Sequence, residues 1–196
     1  MIKKLSRDYC IICYRSLPLH CYVKKTDSDI YYYPEKKGFY WIKIEDYDSS
    51  KMSRMFIDEI VRFLELMELN NFIFLSAYNK PWISKIISKT KDNKKLIKAL
   101  TYFKAHKIWT HFNGGVEVEM NSLKEFLIHF YTVTRFYAGF SDYYFTDINQ
   151  NVILYIHYSG EVNVITLNDE TDNKFKKVVK ETPFVDDLSF DWSYRL

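Results

Sequence analysis

Tyr143-Tyr144-Phe145-Thr146, Val152-Ile153-Leu154-Tyr155-Ile156-His157-Tyr158 and Val162-Asn163-Val164-Ile165-Thr166-Leu167 are three apolar runs that follow one another closely. Each is short and rich in β-branched and aromatic residues, the composition of a pleated, half-buried strand. The breaks between them, Asp147 to Asn151 and Ser159-Gly160, are turn formers. Three consecutive strands with short connections predict an antiparallel meander.

Upstream, Ser122 and Glu125 have the spacing of a capping box. Phe126, Ile128, Phe130, Tyr131, Val133 and Phe136 follow, and Gly139 is a natural stop. The pattern predicts a largely apolar helix packed on the sheet. Asn113-Gly114-Gly115 between Ile108–Phe112 and Val116–Met120 predicts a hairpin, because Asn-Gly supplies positive φ. Asp92-Asn93 caps a predicted helix whose Leu96, Ile97, Leu100 and Phe103 face inward. Pro81 opens another, with Trp82, Ile83, Ile86 and Ile87 on its apolar side. Phe72–Leu75 is a buried-strand candidate. An amphipathic helix runs from Asp48-Ser49-Ser50 to about Leu69, with Phe56, Ile60, Phe63, Leu64 and Met67 on one stripe.

The first 46 residues predict a small β-meander. It includes a strand at Tyr9–Arg15, one at His20–Lys24, and the alternating run Trp41 to Glu45. A short helix over Asp172 to Lys180 ends at Pro183, and a docked tail carries Phe184, Leu188, Phe190 and Trp192. Strands cluster at both ends without regular βαβ alternation, so the expected class is α+β, mainly antiparallel. At 196 residues and 47 % hydrophobic, one domain over residues 1–196 with a sizeable core is expected.

No apolar window approaches the ~20 residues of a membrane span, and no secretory signal pattern opens the chain. Three cysteines, Cys10, Cys13 and Cys21, do not make a disulfide framework. A cytoplasmic protein without membrane contact is expected. Cys10-x2-Cys13 with His20-Cys21 has half the spacing of a zinc site, but the pair is not repeated downstream, so core cysteines are expected. His129 reads as a surface histidine. Glu117 and Glu119 fall on one face of a predicted strand, with His111 across the turn, and are the candidate acid–base pair. No nucleotide, hydrolase or kinase motif accompanies them. No cofactor and no catalytic activity are expected.

Charge is segregated. Lys80 to Lys107 holds nine lysines against one acid, Asp92. Lys91, Lys94, Lys95 and Lys98 share the outer face of their predicted helix and are the candidate nucleic-acid face. The region lacks arginine, the usual reader of phosphates and base edges, so nucleic acid is not the expected partner. Conversely, Ala138 to Asp172 holds Asp142, Asp147, Glu161, Asp169, Glu170 and Asp172 and no Lys or Arg. Acids interleaved with tyrosines suit a basic protein surface: charge steers encounter and aromatics hold the contact. Asp142, Tyr144, Asp147, Tyr158, Glu161 and Asp169 are the candidate partner-binding residues.

The stretch Tyr144-Phe145-Thr146-Asp147 followed by Asn151 to Val162 resembles a segment of several small bacterial toxin-immunity proteins: aromatic-x-Asp, apolar strand, polar-Gly turn, strand. The resemblance implies a cytosolic, non-catalytic protein that binds and neutralises the toxin of its own contact-dependent inhibition or secretion system. The alternatives are a nucleic-acid-associated factor using the lysine face and an enzyme using Glu117 and Glu119.

Overall fold

The computed structural model describes residues 1–23, 25–26, 28–45, 53–137, 140 and 142–186. The elements in chain order are β1 (Ile2–Leu5), α1 (Arg7–Cys13), β2 (Leu19–Val23), β3 (Ser28–Tyr32), β4 (Gly38–Ile44), α2 (Ser53–Leu66) and β5 (Phe72–Ser76). They continue with α3 (Lys94–Ala105), β6 (Gly115–Val118), α4 (Met120–Phe136), β7 (Tyr143–Asp147), β8 (Val152–Ile156), β9 (Glu161–Thr166), α5 (Asp169–Val178) and β10 (Phe184–Asp186). Eight strands form one antiparallel sheet in the order β1-β6-β5-β7-β8-β9-β4-β10, and β2-β3 is a separate hairpin. The class is α+β, as the distribution of strands and helices predicts.

Alternation sorts the sheet into two faces. Phe72, Phe74, Phe145, Leu154, Ile156, Val162, Val164, Ile42 and Ile44 face the helices. There they meet Phe56, Ile60 and Phe63 of α2, Leu96, Leu100 and Phe103 of α3, Phe126 and Phe130 of α4, and Phe175 of α5 in one apolar cluster. The other face turns Ile73 and Leu75 into a smaller cluster with Leu5, Cys10 and Leu17, capped by Tyr14, Leu19 and Tyr144. The molecule is therefore layered: four helices, the sheet, and α1 on the far side.

The predicted meander β7-β8-β9 is present, with Tyr144 opposite Tyr155 and Ile156 opposite Val162. So are α2, α3, α4, α5 and the buried strand β5. Helix α3 begins where Asn93 accepts from the Leu96 amide at 3.0 Å. Helix α5 begins three residues before Asp172, at a cap formed by Asn168. The predicted start of α2 at Asp48-Ser49-Ser50, the stop at Gly139 and the tail residues Leu188, Phe190 and Trp192 lie outside the described residues.

Several expectations are corrected. Tyr9–Arg15 is not a strand: Ser6 caps a helix, accepting from the Tyr9 amide at 3.1 Å, and buries Cys10 while Ile11 and Ile12 stay exposed. A cap and one well-buried side chain override the β propensity of two isoleucines. The N-terminal strands do not form one meander. β1 pairs with β6 at one sheet edge, whereas β4 pairs with β9 and β10 at the other. Pro81 opens no α-helix: only a 3-10 turn forms at Ile87–Lys89. Trp82 instead anchors the loop, its backbone amide donating to the Phe112 carbonyl and its indole to the Gly114 carbonyl at 2.8 Å.

Residues 108–112 are not a strand, and β6 finds its partners in β1 and β5. Gly114 and Gly115 serve close approach rather than a hairpin turn. A Cβ on Gly114 would collide with the Leu5 carbonyl oxygen, and one on Gly115 with the Cys10 thiol. Helix α4 starts at Met120, and its N-cap, Glu119, lies three residues ahead of the predicted cap Ser122.

Candidate partner-binding surface

Register divides the candidate residues between the two ends of the sheet. Asp142 and Tyr144 lie at the start of β7; Tyr158 and Glu161 lie at the β8-β9 turn. Because Tyr144 pairs with Tyr155 and Ile156 with Val162, these four share one end. Asp147, opposite Phe72, and Asp169, beyond Thr166, belong to the other.

At the first end the β8-β9 connection is tight, closed by Gly160 at φ 98° and by the His157 amide donating to the Glu161 carbonyl at 2.9 Å. Its side chains add a second set of bonds. Ser159 Oγ donates to Glu161 Oε2 at 2.9 Å and lies 2.5 Å from His157 Nδ1. His157 Nδ1 is also 3.2 Å from Glu161 Oε2. The trio fixes the hairpin tip.

Tyr158 projects from this tip with 59 % of its surface exposed, its ring 4.1 Å from that of His157. Behind it runs a transverse row across the outer face of the sheet: Tyr144 opposite Tyr155, Tyr155 opposite Asn163, Asn163 opposite Trp41. The Tyr144 and Tyr155 rings are 5.4 Å apart, and Trp41 stands edge-on to both Tyr155 and His157. Burial and the Tyr33 hydroxyl at 3.4 Å hold the Tyr144 phenol well above its ordinary pKa, so it stays neutral. Exposed Tyr33 continues the row toward the β2-β3 hairpin.

Asp142, at φ 66°, faces Lys80 Nζ at 3.7 Å. Burial depresses the Lys80 ammonium, and the carboxylate opposes that shift. Arg7 closes the same end, donating to the Ser76 and Ala77 carbonyls at 3.0 and 3.1 Å. Tyr143, next to Asp142, belongs to the core: it is 2 % exposed and packs on Trp82 and Phe140.

The residues at the opposite end have other tasks. Asp147 is 1 % exposed. Its two oxygens accept from the amides of Asn149, Asn151 and Val152 and from the Asn151 side chain. It is the organiser of the β7-β8 turn and is not at the surface to steer a partner. Asp172 is also buried, accepting from Tyr40 and Thr166 at 2.7 Å and from Lys176 at 2.6 Å. Asp169 is exposed in the first turn of α5, with Lys37 at 3.7 Å. In sequence an acid that tethers a turn and an acid that faces solvent look alike. Asp147 followed by Asn149 and Asn151 was the available sign of a tether.

The remaining candidates disperse. Glu117 pairs across β1 with Lys3 at 3.8 Å, while Glu119 lies beyond β6, at the start of α4. Glu119 is held there by the Met1 ammonium at 2.8 Å, and no hairpin brings His111 across from either acid. Cys10 is buried and desolvation pushes its thiol up to about 11, whereas Cys13 and Cys21 are exposed rather than in the core. Among the described residues no three His, Cys, Asp or Glu side chains converge as metal ligands.

His129 is not at the surface. It is 7 % exposed and stacked on Tyr102 at 4.1 Å. Burial holds its imidazole below the ordinary 6.5, with Lys98 and His106 pushing the same way and Glu125 opposing. The unfolded chain therefore binds this proton more readily than the fold. Stability is expected to fall as pH drops through about 6.5, and to be insensitive to this group above it. Urea midpoints at acid and neutral pH, compared between the wild type and His129→Gln, check this: the variant loses part of the acid-side decline.

Among the described residues no helix is long and apolar enough to cross a membrane. No protein-family model matches the chain, and neither a curated protein nor a solved structure does.

Proposed function

We propose that this chain is a non-catalytic, cytoplasmic protein-binding module that neutralises a bacterial toxin by binding it. The observation that carries the reading is the hairpin tip: an aromatic ring, Tyr158, 59 % exposed beside the carboxylate of Glu161 on a turn braced by His157 and Ser159. A rigid aromatic anchor costs little ordering entropy on association, and a neighbouring carboxylate selects a basic counterpart. Tyr144, Tyr33 and Asp142 extend the same end. The segment resembling immunity proteins, residues 144–162, ends at this tip.

The test is co-purification of the tagged chain with the product of the adjacent gene, together with rescue of growth. The Tyr158→Ala/Glu161→Lys variant is expected to weaken the complex by about 2 kcal/mol, roughly thirtyfold, while the chain remains folded under the assay conditions. A complex that the double variant leaves intact places the contact elsewhere. No complex and no rescue overturn the reading.

A further inference from the structure

The lysines from Lys85 to Lys98 take no part in the surface described above, and their charge is not consumed by the fold. Lys85, Lys89 and Lys91 are exposed on the loop leading into α3, and Lys94, Lys95 and Lys98 are exposed along its outer face. Leu96, Ala99, Leu100 and Phe103 fill the opposite, buried face. None of these six lysines makes an ion pair among the described residues, unlike Lys80, which turns to Asp142. Asp92 is the one acid between them, and the first turn of α3 has none.

This arrangement works against the helix. Lys94 and Lys98 are like charges one turn apart, and lysines in a first turn oppose the macrodipole. Packing requires only the apolar stripe, so folding supplies no reason for the charge.

We infer that this strip is a second contact surface, which holds a nucleic-acid duplex through its phosphate backbone without reading bases. A row of flexible ammonium groups displaces condensed counterions, and that release needs no defined geometry. The strip has no arginine, whose rigid fork is the preferred reader of base edges, so its point-charge ammonium groups favour phosphates and sequence-independent binding. It does not have the make-up of a protein interface, whose core is depleted of lysine and anchored by aromatics: residues 85–98 contain no aromatic side chain. A membrane surface fits less well. Ile86, 82 % exposed, is its only exposed large apolar side chain, and interfacial binding uses an entire apolar face.

The test uses the full chain and fluorescence anisotropy on two labelled DNA duplexes of unrelated sequence. Both are expected to bind equally. With about four lysines on phosphates, affinity falls roughly a hundredfold between about 50 and about 200 mM salt. The variant K91E/K94E/K95E/K98E loses binding even at low salt. Glutamates suit the start of a helix, so its melting temperature is not expected to drop. K91Q/K94Q/K95Q/K98Q gives the same reading should the reversed variant fold poorly.

Absence of wild-type binding at low salt, or a lysine variant that binds like wild type, overturns the inference. So does capture by phosphatidylcholine/phosphatidylserine vesicles with the duplexes left unbound. The result is independent of the toxin-binding reading, because Tyr158→Ala/Glu161→Lys is expected to leave duplex binding unchanged.

Discussion

Trp82→Ala is expected to lower the free energy of unfolding by about 4–5 kcal/mol, the upper range for removing a buried aromatic side chain. Trp82 is 1 % exposed and lies in no regular helix or strand. Its ring nevertheless touches Phe103 of α3, Phe126 and Phe130 of α4, Phe140, and Tyr143 of β7. It therefore ties two helices to the sheet from an irregular loop. Truncation leaves a cavity bounded by rings that are themselves locked together, so collapse around it is limited. It also leaves the Gly114 carbonyl without the indole donor. Trp82→Phe keeps much of the ring contact but not the N–H, and is expected to cost about 1–2 kcal/mol. Chemical denaturation checks both: the midpoint should fall with an unchanged slope, ordered alanine below phenylalanine below wild type. An alanine variant within about 1 kcal/mol of wild type would show that the loop is not a structural anchor.

The same residue shows why parts of the fold were legible in sequence and others were not. β7, β8 and β9 could be read because each strand pairs with its neighbour in sequence, so local alternation and local turns carry the information. Helices α2 to α5 could be read because their apolar stripes have the helical period. Trp82 looks like a member of such a stripe, with Ile83, Ile86 and Ile87 at suitable spacing. Yet Ile86 is exposed, and what fixes the loop is a pair of bonds to Phe112 and Gly114, about thirty residues away. Gly114-Gly115 misleads in the same way. The pattern of a hairpin turn is occupied by a strand that must pass close to Leu5 and Cys10, and nothing local records those contacts.

The charge map was legible only by half. Exposed lysines on α3 follow from the position of Leu96 and Leu100. The acids of residues 142–172 do not form one pole, because strand direction sends Asp142 and Glu161 to one end of the sheet and Asp147 and Asp169 to the other. Most are also engaged: Asp142 with Lys80, Asp169 with Lys37, Asp172 with Tyr40, Thr166 and Lys176. Strand order, which no single window of sequence contains, decides which acids face a partner together.

Asp147→Ala is expected to cost about 3–4 kcal/mol, close to the Trp82 effect although only a small polar side chain is lost. The carboxylate is itself 1 % exposed and satisfies three backbone amides and one side-chain amide of the turn. Charge-assisted bonds of this kind are stronger than neutral ones, and donors left unpaired in a buried site carry their full desolvation penalty. Asp147→Asn retains one acceptor oxygen but turns an NH2 group toward donors, so its loss should fall between alanine and wild type. Asp147→Lys, which at the surface would be a simple test of steering, is expected to unfold the β7-β8 turn. Glu161→Lys removes the contacts of one part-exposed carboxylate with Ser159 and His157 and should lower the unfolding midpoint much less. Urea unfolding of the two reversals, together with hydrogen exchange at Asn151 and Val152, separates the roles. Loss of protection at Asn151 and Val152 in Asp147→Lys alone identifies Asp147 as the carboxylate on which the β7-β8 turn depends. Equal stability of the two reversals would mean that the turn does not depend on Asp147, and would return that residue to the set of contact candidates.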